Sequence, residues 1–287
     1  MSEFDGLPSL RNPVVVAAFE GWNDAGDAAT ATVEHLELEW SAEPMAMLDP
    51  DDYYDFQVNR PTVSLSDGIT RRIDWPTTRL SVCSPPNAER DVVLVRGLEP
   101  NMRWRGFCDE LLDLFHALEV ELVVLIGALL ADTPHTRPFP VTGSASDPAL
   151  VEQYDLTQSK YEGPTGIVGV LHDACVRAEI PAVSFWAQVP HYVSQPPCPK
   201  ATLALLHRLE DALDLRVPMG ELAEQAAAWE STVDELASQD AEMAEYVRQL
   251  EQRDGEPQLK QASGEDLARE FEKFLRRRGG SGTQGPA

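Results

Sequence analysis

Short apolar runs alternate with amphipathic stretches between residues 13 and 215. The first run, 13–20 (PVVVAAFE), is unbroken and rich in β-branched residues, which is typical of a strand buried on both faces. Similar runs predict further strands at 45–48, 91–96, 122–128 and 182–187. The run 122–128 carries no charge, and we therefore expect it near the middle of the sheet.

Stretches with apolar residues at helical spacing lie between these strands. In the first of them, Asn23 or Asp24 can cap a helix that reaches Trp40, because its side-chain oxygen can accept a backbone N–H. The remaining predicted helices span 104–118, 165–178 and 200–213. Alternating strands and helices indicate βαβ units with right-handed crossovers. The predicted fold class is therefore α/β, with a mostly parallel sheet flanked by helices.

Residues 51–84 break this alternation, because they lack helical periodicity. Strand-like pieces at 62–65, 69–74 and 79–83 surround a turn at Asp67 and Gly68. This segment is predicted to form an antiparallel excursion at the edge of the sheet.

Beyond Pro218 the apolar residues follow two seven-residue series, which are interrupted once, at Asp240. Such heptads are typical of a coiled coil. A long amphipathic helix that packs on its own domain, or pairs with helix 200–213, fits the pattern equally well. The two series are Leu222, Trp229, Leu236, Met243 and Leu250, and Ala226, Val233, Asp240 and Val247.

The pattern divides the chain into an α/β core domain (1–217), a helical appendage (218–278) and a tail (279–287). A second appendage helix is predicted from Ser263, where a capping-box-like start is possible. The tail, GGSGTQGPA, has nothing to bury and is expected to be disordered.

Charge narrows the choice of partners. The chain has 48 acidic and 23 basic residues, a formal net charge of −25, which opposes binding to nucleic acid or to an anionic membrane. Residues 221–256 hold eleven acids and two bases, so the appendage is strongly acidic.

The N-terminus shows no signal peptide and no apolar run reaches the roughly 20 residues that span a bilayer. The four cysteines are scattered, so neither a metal nor a disulfide is expected, and the protein is predicted to be cytoplasmic.

Ligands of parallel α/β sheets bind beyond the carboxyl ends of the strands, so the polar loops at 21–27, 96–104, 132–138 and 161–166 are the candidate site. Their arginines and histidine would make this region locally basic inside an acidic protein. The candidate ligand-binding residues are Asn23, Asp24, Asp27, Arg96, Glu99, Arg103, Thr133, His135, Arg137, Gly163, Thr165 and Gly166.

Each candidate also has a purely structural interpretation. Asn23 and Asp24 can be helix caps, and His135 can be an ordinary hydrogen-bonding group. Arg96, Glu99 and Arg103 can form an ion-pair network that fixes their loop. The sequence contains no GxSxG, HExxH or GxGxxG motif in a suitable context, so no catalytic residue, metal or cofactor is assigned.

Four motifs taken together, GWNDAGDA, RGLEPNMRW, GALLADTPHTRP and YEGPTGIVGVLHDA, resemble the actinobacterial branch of the proteasome assembly chaperone 2 family. The resemblance covers about residues 10–250. It implies a phosphorylase/hydrolase-like α/β sandwich, similar in layout to nucleoside phosphorylases, and from that layout a homotrimer. Archaeal and eukaryotic relatives help to assemble proteasome subunits, whereas bacterial members mostly lack an assigned activity.

Two functions remain open at this point. The first is a non-enzymatic, oligomeric scaffold or assembly chaperone, whose protein partners include proteasome-related subunits. The second is an enzyme or sensor that binds a nucleoside-like or phosphate-like molecule at the strand ends. The missing catalytic motifs favour the first function.

Overall fold

The structure is a computed structural model that describes residues 7–159 and 161–252. The helix predicted from Ser263 and the tail from residue 279 lie outside the described residues. The strands are β1 (Val14–Glu20), β2 (Glu43–Met47), β3 (Thr62–Ser66), β4 (Thr70–Asp74), β5 (Arg79–Cys83), β6 (Val92–Leu98), β7 (Leu122–Ala131), β8 (Val141–Ala145) and β9 (Ala182–Pro190). The helices are α1 (Ala28–Glu39), α2 (Pro50–Tyr53), α3 (Trp104–Ala117), α4 (Pro148–Gln153), α5 (Ile167–Arg177), α6 (Pro199–Leu213), α7 (Leu222–Gln239) and α8 (Ala241–Gln252).

Seven strands form one sheet in the order β2-β5-β6-β1-β7-β9-β8. The four strands β6, β1, β7 and β9 are parallel and make the centre of the sheet. Antiparallel strands flank them, β5 and β2 on one side and β8 on the other. The predicted α/β class is confirmed, and the sheet is mixed because its edges are antiparallel.

Helices cover both faces of this sheet, and the alternation along β1 decides which side chain faces which layer. Val14 and Val16 belong to an apolar cluster with residues of α1 and α6. Val15 and Phe19 belong to a second cluster with residues of α3 and α5. Because both faces are buried, β1 is the unbroken apolar run that the sequence showed.

The segment 51–84 contains the predicted antiparallel pieces. Strands β3 and β4 pair with each other in a separate two-stranded sheet, whereas β5 joins the main sheet beside β6. Strand β8 and the short helices α2 and α4 had no counterpart in the sequence interpretation. Met47 of β2, which is an edge strand of the main sheet, lines a cleft together with residues 72–74 of this hairpin.

The heptad region does not form one continuous helix. Helix α7 ends at Gln239, and the Asp240 carboxylate caps α8 by accepting the N–H groups of Glu242 at 2.9 Å and Met243 at 3.2 Å. Helix α7 packs on α6 and α8 packs on α7. The break counts against one long helix in either alternative, whereas the expected packing against the helix at 199–213 is observed. A coiled coil between chains stays a prediction.

The described cysteines are all buried and unbridged, and burial raises the thiol pKa to about 12 for Cys83, Cys108 and Cys175 and to about 11 for Cys198. None of the helices within residues 7–159 and 161–252 combines the length and the apolar composition that a membrane span needs. The same residues contain no group of three or more His, Cys, Asp or Glu side chains placed to hold a metal ion. The division of the chain at residue 217 stays a prediction.

Candidate functional site

Three of the four candidate loops meet at the Glu99 carboxylate. Its Oε1 atom accepts hydrogen bonds from Asn23 Nδ2 and from the backbone N–H of Ile167, both at 2.8 Å. A Cβ atom at Gly166 would lie 2.3 Å from Asn23 Nδ2, so only glycine allows this contact. The structure thus brings together Asn23, Glu99 and Gly166, which lie on different loops.

The sheet explains why these loops meet. Strands β1 and β6 are parallel neighbours whose last residues, Glu20 and Leu98, are in register, and Glu99 N donates to Glu20 O at 3.0 Å. Asn23 O accepts the N–H of Ala128 at 2.8 Å, which ties the first loop to β7. Burial raises the pKa of Glu99, although its bonds to Ile167 N–H and Asn23 act in the opposite direction.

Asp24 is a buried helix cap, 4% exposed. Its Oδ1 atom accepts the N–H of Ala29 at 2.6 Å, and Oδ2 accepts the N–H of Thr30 at 3.2 Å together with the Thr30 hydroxyl. Desolvation raises the pKa of Asp24 to about 6 despite these bonds. Asp27 precedes α1 in the left-handed conformation, and burial raises its pKa as well.

The two arginines expected to make the site basic are paired elsewhere. Arg96 lies against α1, where its Nη2 atom is 2.8 Å from Glu37 Oε2. Arg103 pairs with Asp52 and lies over the ring of Tyr53, 5.8 Å from its centroid. Each guanidinium therefore has a carboxylate partner, but neither partner is Glu99, so the predicted network of Arg96, Glu99 and Arg103 is wrong.

We expect Arg103→Ala to lower the free energy of unfolding by less than about 1 kcal/mol, because both side chains of the Arg103–Asp52 pair are more than half exposed. Denaturant unfolding followed by circular dichroism measures this value. Asp52→Ala and the double variant complete the cycle, in which the coupling energy should also stay under about 1 kcal/mol. A loss larger than about 2 kcal/mol would show that Arg103 does more than form a surface ion pair.

The fourth loop, 132–138, forms a separate cluster with the helical appendage. His135 is 1% exposed, and its ring lies between Tyr192 Oη, 2.8 Å from Nδ1, and Asp234 Oδ1 of α7, 3.0 Å from Nε2. The backbone N–H of His135 also donates to Tyr192 Oη at 2.8 Å. Lys200 of α6 donates to the His135 carbonyl oxygen and pairs with Glu230 of α7.

Other residues of this loop also contact α8. Thr136 Oγ1 donates to Glu251 Oε1 at 2.5 Å, and the Arg137 guanidinium donates to the Glu251 carbonyl oxygen. Thr133 is buried. The sequence interpretation missed Tyr192, Lys200, Glu230 and Asp234, since each is far along the chain from His135 and no spacing links them.

The glycine-containing turn before α5 is occupied by the protein itself. The first N–H of this helix, that of Ile167, donates to Glu99. Thr165 is exposed, and its Oγ1 atom lies only 2.1 Å from where a Cβ at Gly169 would be. Gly163 is exposed in the turn where Tyr161 Oη donates to Pro164 O at 2.8 Å.

Two clefts in the described structure lie away from these loops. One, of about 360 Å³, is lined by residues 7–10 and 117–119. The other, of about 260 Å³, lies between β2 and the base of the β3–β4 hairpin. Neither cleft is lined by any residue of the four candidate loops.

Comparison with known proteins gives a consistent result. The sequence profile of the PAC2 family matches residues 18–237. A PAC2 family protein from Streptomyces avermitilis is 65% identical, with a TM-score of 0.78, over 82% of this chain and 99% of that one. A Mycobacterium tuberculosis protein described as a proteasome-assembly chaperone homologue is 59% identical, with a TM-score of 0.75, over the same shares.

A more distant structure shares the fold alone. PbaB of Pyrococcus furiosus, described as an archaeal proteasome activator, is 18% identical, with a TM-score of 0.64, over 80% of this chain and 95% of that one. The chain shows no significant sequence similarity to any curated protein. The family profile spans well over half of the sequence and the two bacterial structures agree with it, so the chain belongs to the PAC2 family.

Proposed function

We propose that this protein is a non-enzymatic, assembly-chaperone-like protein that binds other proteins at the carboxyl end of its sheet. The observation that carries the proposal is the closure of this edge around Glu99. The positions where an α/β enzyme would hold its ligand are filled by Asn23 and by the N-terminus of α5. The alternative, a pocket for a phosphate-like molecule, would need free cations there, but Arg96 and Arg103 are paired with carboxylates.

The same loops present apolar side chains to solvent. Trp22, Met102 and Tyr161 lie on the three loops that meet at Glu99, and each is more than two-fifths exposed. Aromatic residues and methionine are enriched at protein interfaces, where a few of them supply most of the binding energy. This edge therefore has the character of a protein-docking surface on a rigid base.

The relatives support a proposal for the kind of partner. The Mycobacterium tuberculosis protein that is 59% identical is described as a proteasome-assembly chaperone homologue. We infer that the partners of this protein are proteasome-related subunits in the cytoplasm, and that the protein acts as a homo-oligomer, with three copies as the working number.

The test is reconstitution with purified proteasome α and β subunits from the source organism. Native mass spectrometry is expected to detect a complex of this protein with unassembled subunits, and its presence should change the rate at which full particles appear. Trp22→Ala is expected to weaken the complex at least tenfold, since a buried interface tryptophan contributes about 2 kcal/mol or more. Serum albumin, an unrelated acidic protein, is the negative control and should not bind the subunits.

Leu38→Ala is the matched control, because Leu38 is 74% exposed and lies near the other end of α1. It should bind as the wild type does. If no complex forms and the assembly rate does not change, the proposed function is wrong. If Trp22→Ala and Leu38→Ala bind equally well, the docking edge is wrong even though the partner is right.

A further inference from the structure

Two carboxylates of α7 contact the core beside the 132–138 loop. Asp234 Oδ1 lies 3.0 Å from Nε2 of His135, a side chain that is 1% exposed. Glu230, one helical turn before Asp234, pairs with Lys200, the second residue of α6. Residues four apart lie on the same side of a helix, so α7 presents both carboxylates to the core together.

Apolar contacts complete this docking face of the core, which consists of His135, Phe139 and Lys200. The rings of Phe139 and of Trp229 on α7 meet edge to face, with their centroids 5.9 Å apart. Lys200 Nζ lies 5.2 Å from the centroid of the same Phe139 ring. Val233, next to Asp234 on α7, is buried. The docking face therefore offers α7 opposite charge and apolar contact at once.

The connection between α7 and its own core is short. Val217 is buried with the core, and Pro218 O lies 2.7 Å from His35 Nε2 of α1. The chain can therefore change direction only between Pro218 and Leu222, where α7 begins. Gly220 makes this turn at φ +50°, in the left-handed region that suits glycine. Short hinge loops of this kind invite the exchange of an element between two copies of a chain.

We propose that α7 and α8 of one copy dock on the core of a second copy, so that Glu230 of one chain pairs with Lys200 of the other. Each copy carries both halves of this contact, and the exchange of an identical element is a low-cost route to oligomers. Each chain gives its appendage to the next, and the copies form a ring when the rotation closes. The inference rests on the homo-oligomer in the proposed function and names the residues through which its copies meet.

A longer hinge is the first test. Insertion of Gly-Ser-Gly-Ser-Gly after Gly220 lets α7 fold back easily on its own core. Sedimentation at micromolar concentration is expected to show an oligomer for the wild type and a monomer for this variant. The same insertion after Gly68, in the turn of the β3–β4 hairpin, is the matched control and should leave the oligomer intact, because nothing packs against that position. Circular dichroism checks that both variants fold.

Two charge reversals test the contact itself. Lys200→Glu and Glu230→Lys each place like charges at a partly buried pair, so each variant alone should assemble at least tenfold more weakly than the wild type. In an equal mixture, opposite charges meet at both contacts between unlike chains but within neither chain. We therefore expect native mass spectrometry to detect complexes that contain both variants. Glu224→Lys, at an exposed position of the same helix, should assemble as the wild type does.

The outcomes separate this interface from the proposed function. A monomeric wild type, an oligomeric hinge variant, or a mixture without mixed complexes would overturn the exchange. An oligomer that neither the hinge insertion nor the charge reversals affect would overturn this interface alone and leave the homo-oligomer standing. A missing complex with proteasome subunits would count against the proposed function instead, because that test uses other partners and the Trp22→Ala variant.

Discussion

Asp24→Ala is expected to lower the free energy of unfolding by roughly 2–3 kcal/mol at pH 7. A lost N-cap alone lowers stability by about 1 kcal/mol. Here the substitution also leaves the buried N–H groups of Ala29 and Thr30 without their acceptor, and a buried polar group without a partner costs about 1–3 kcal/mol. At pH 7 the alanine variant no longer buries a charged carboxylate, and this offsets part of the loss.

The loss should depend on pH with a definite sign. Because the pKa of Asp24 is about 6 in the folded protein, against an ordinary value of 3.8, the folded protein binds the proton more tightly than the unfolded chain does. The part of the stability that comes from this proton is therefore complete below pH 4 and is lost as the pH rises through 6, so the substitution should cost more at pH 4 than at pH 7. A difference of about two pKa units corresponds to about 3 kcal/mol.

Urea unfolding between pH 4 and pH 7 measures this effect as the difference between wild type and variant, which cancels the carboxyl groups the two proteins share. The difference should shrink as the pH rises. Asp49→Ala is the matched control, because Asp49 also caps a helix, accepting the Asp51 N–H at 3.0 Å, but is exposed. It should lose about 1 kcal/mol or less, with little change over this range. A pH-independent loss at Asp24 would contradict its raised pKa.

The sequence predicted the centre of the fold because burial on both faces leaves an unbroken apolar run. This is why β1, β6, β7 and β9 were identified. Strand β8 was not, since its sequence VTGSA is short, half-buried and centred on Gly143. The end of α7 at Asp240 was visible only as an interruption, because an aspartate can either face solvent within a helix or cap the next helix.

The candidate site was predicted as a set of loops and not as a set of contacts. Adjacent parallel strands place their following loops side by side, which accounts for the meeting of Asn23 and Glu99. The direction in which the Arg96 side chain points could not be predicted from the sequence. It continues the face of Val92 and Leu94, which is the face that α1 covers, so its guanidinium reaches Glu37 and not a ligand.

The histidine contacts show the same limit. His135 interacts with Tyr192 and Asp234, which follow it by 57 and 99 residues. No periodicity connects groups at such separations, because their distance depends on how α7 packs on α6. Sequence reasoning therefore located the loop but could not show that it anchors the appendage.

Gly97→Ala is expected to lower the free energy of unfolding by about 3 kcal/mol or more. Gly97 lies in β6, and a Cβ there would be 2.6 Å from the Cα of Thr78 and 2.8 Å from the carbonyl oxygen of Thr77. These are backbone atoms, and they cannot rotate away as a side chain would. Overpacking of a core usually costs about 1–3 kcal/mol, and more where the neighbours are fixed.

Thr78 is fixed from two directions. Its carbonyl oxygen accepts the Leu48 N–H at 3.0 Å, and its hydroxyl group lies 2.9 Å from Tyr54 Oη. The new methyl group must therefore displace β6 itself, which ends one residue before Glu99. We expect thermal unfolding to show the lost stability. Binding of proteasome subunits, which Trp22→Ala is also expected to weaken, should become weaker in this variant too.

Gly106→Ala is the matched control for the same chemical change. Gly106 lies inside α3, and nothing is within 4 Å of its added methyl group. Alanine in a helix interior is about 0.5–1 kcal/mol more favourable than glycine, so this variant should gain stability. Opposite signs at the two glycines would show that the contact with Thr78, and not the loss of glycine as such, explains the effect. A stable Gly97→Ala protein would mean that β6 and residues 77–78 are not in contact.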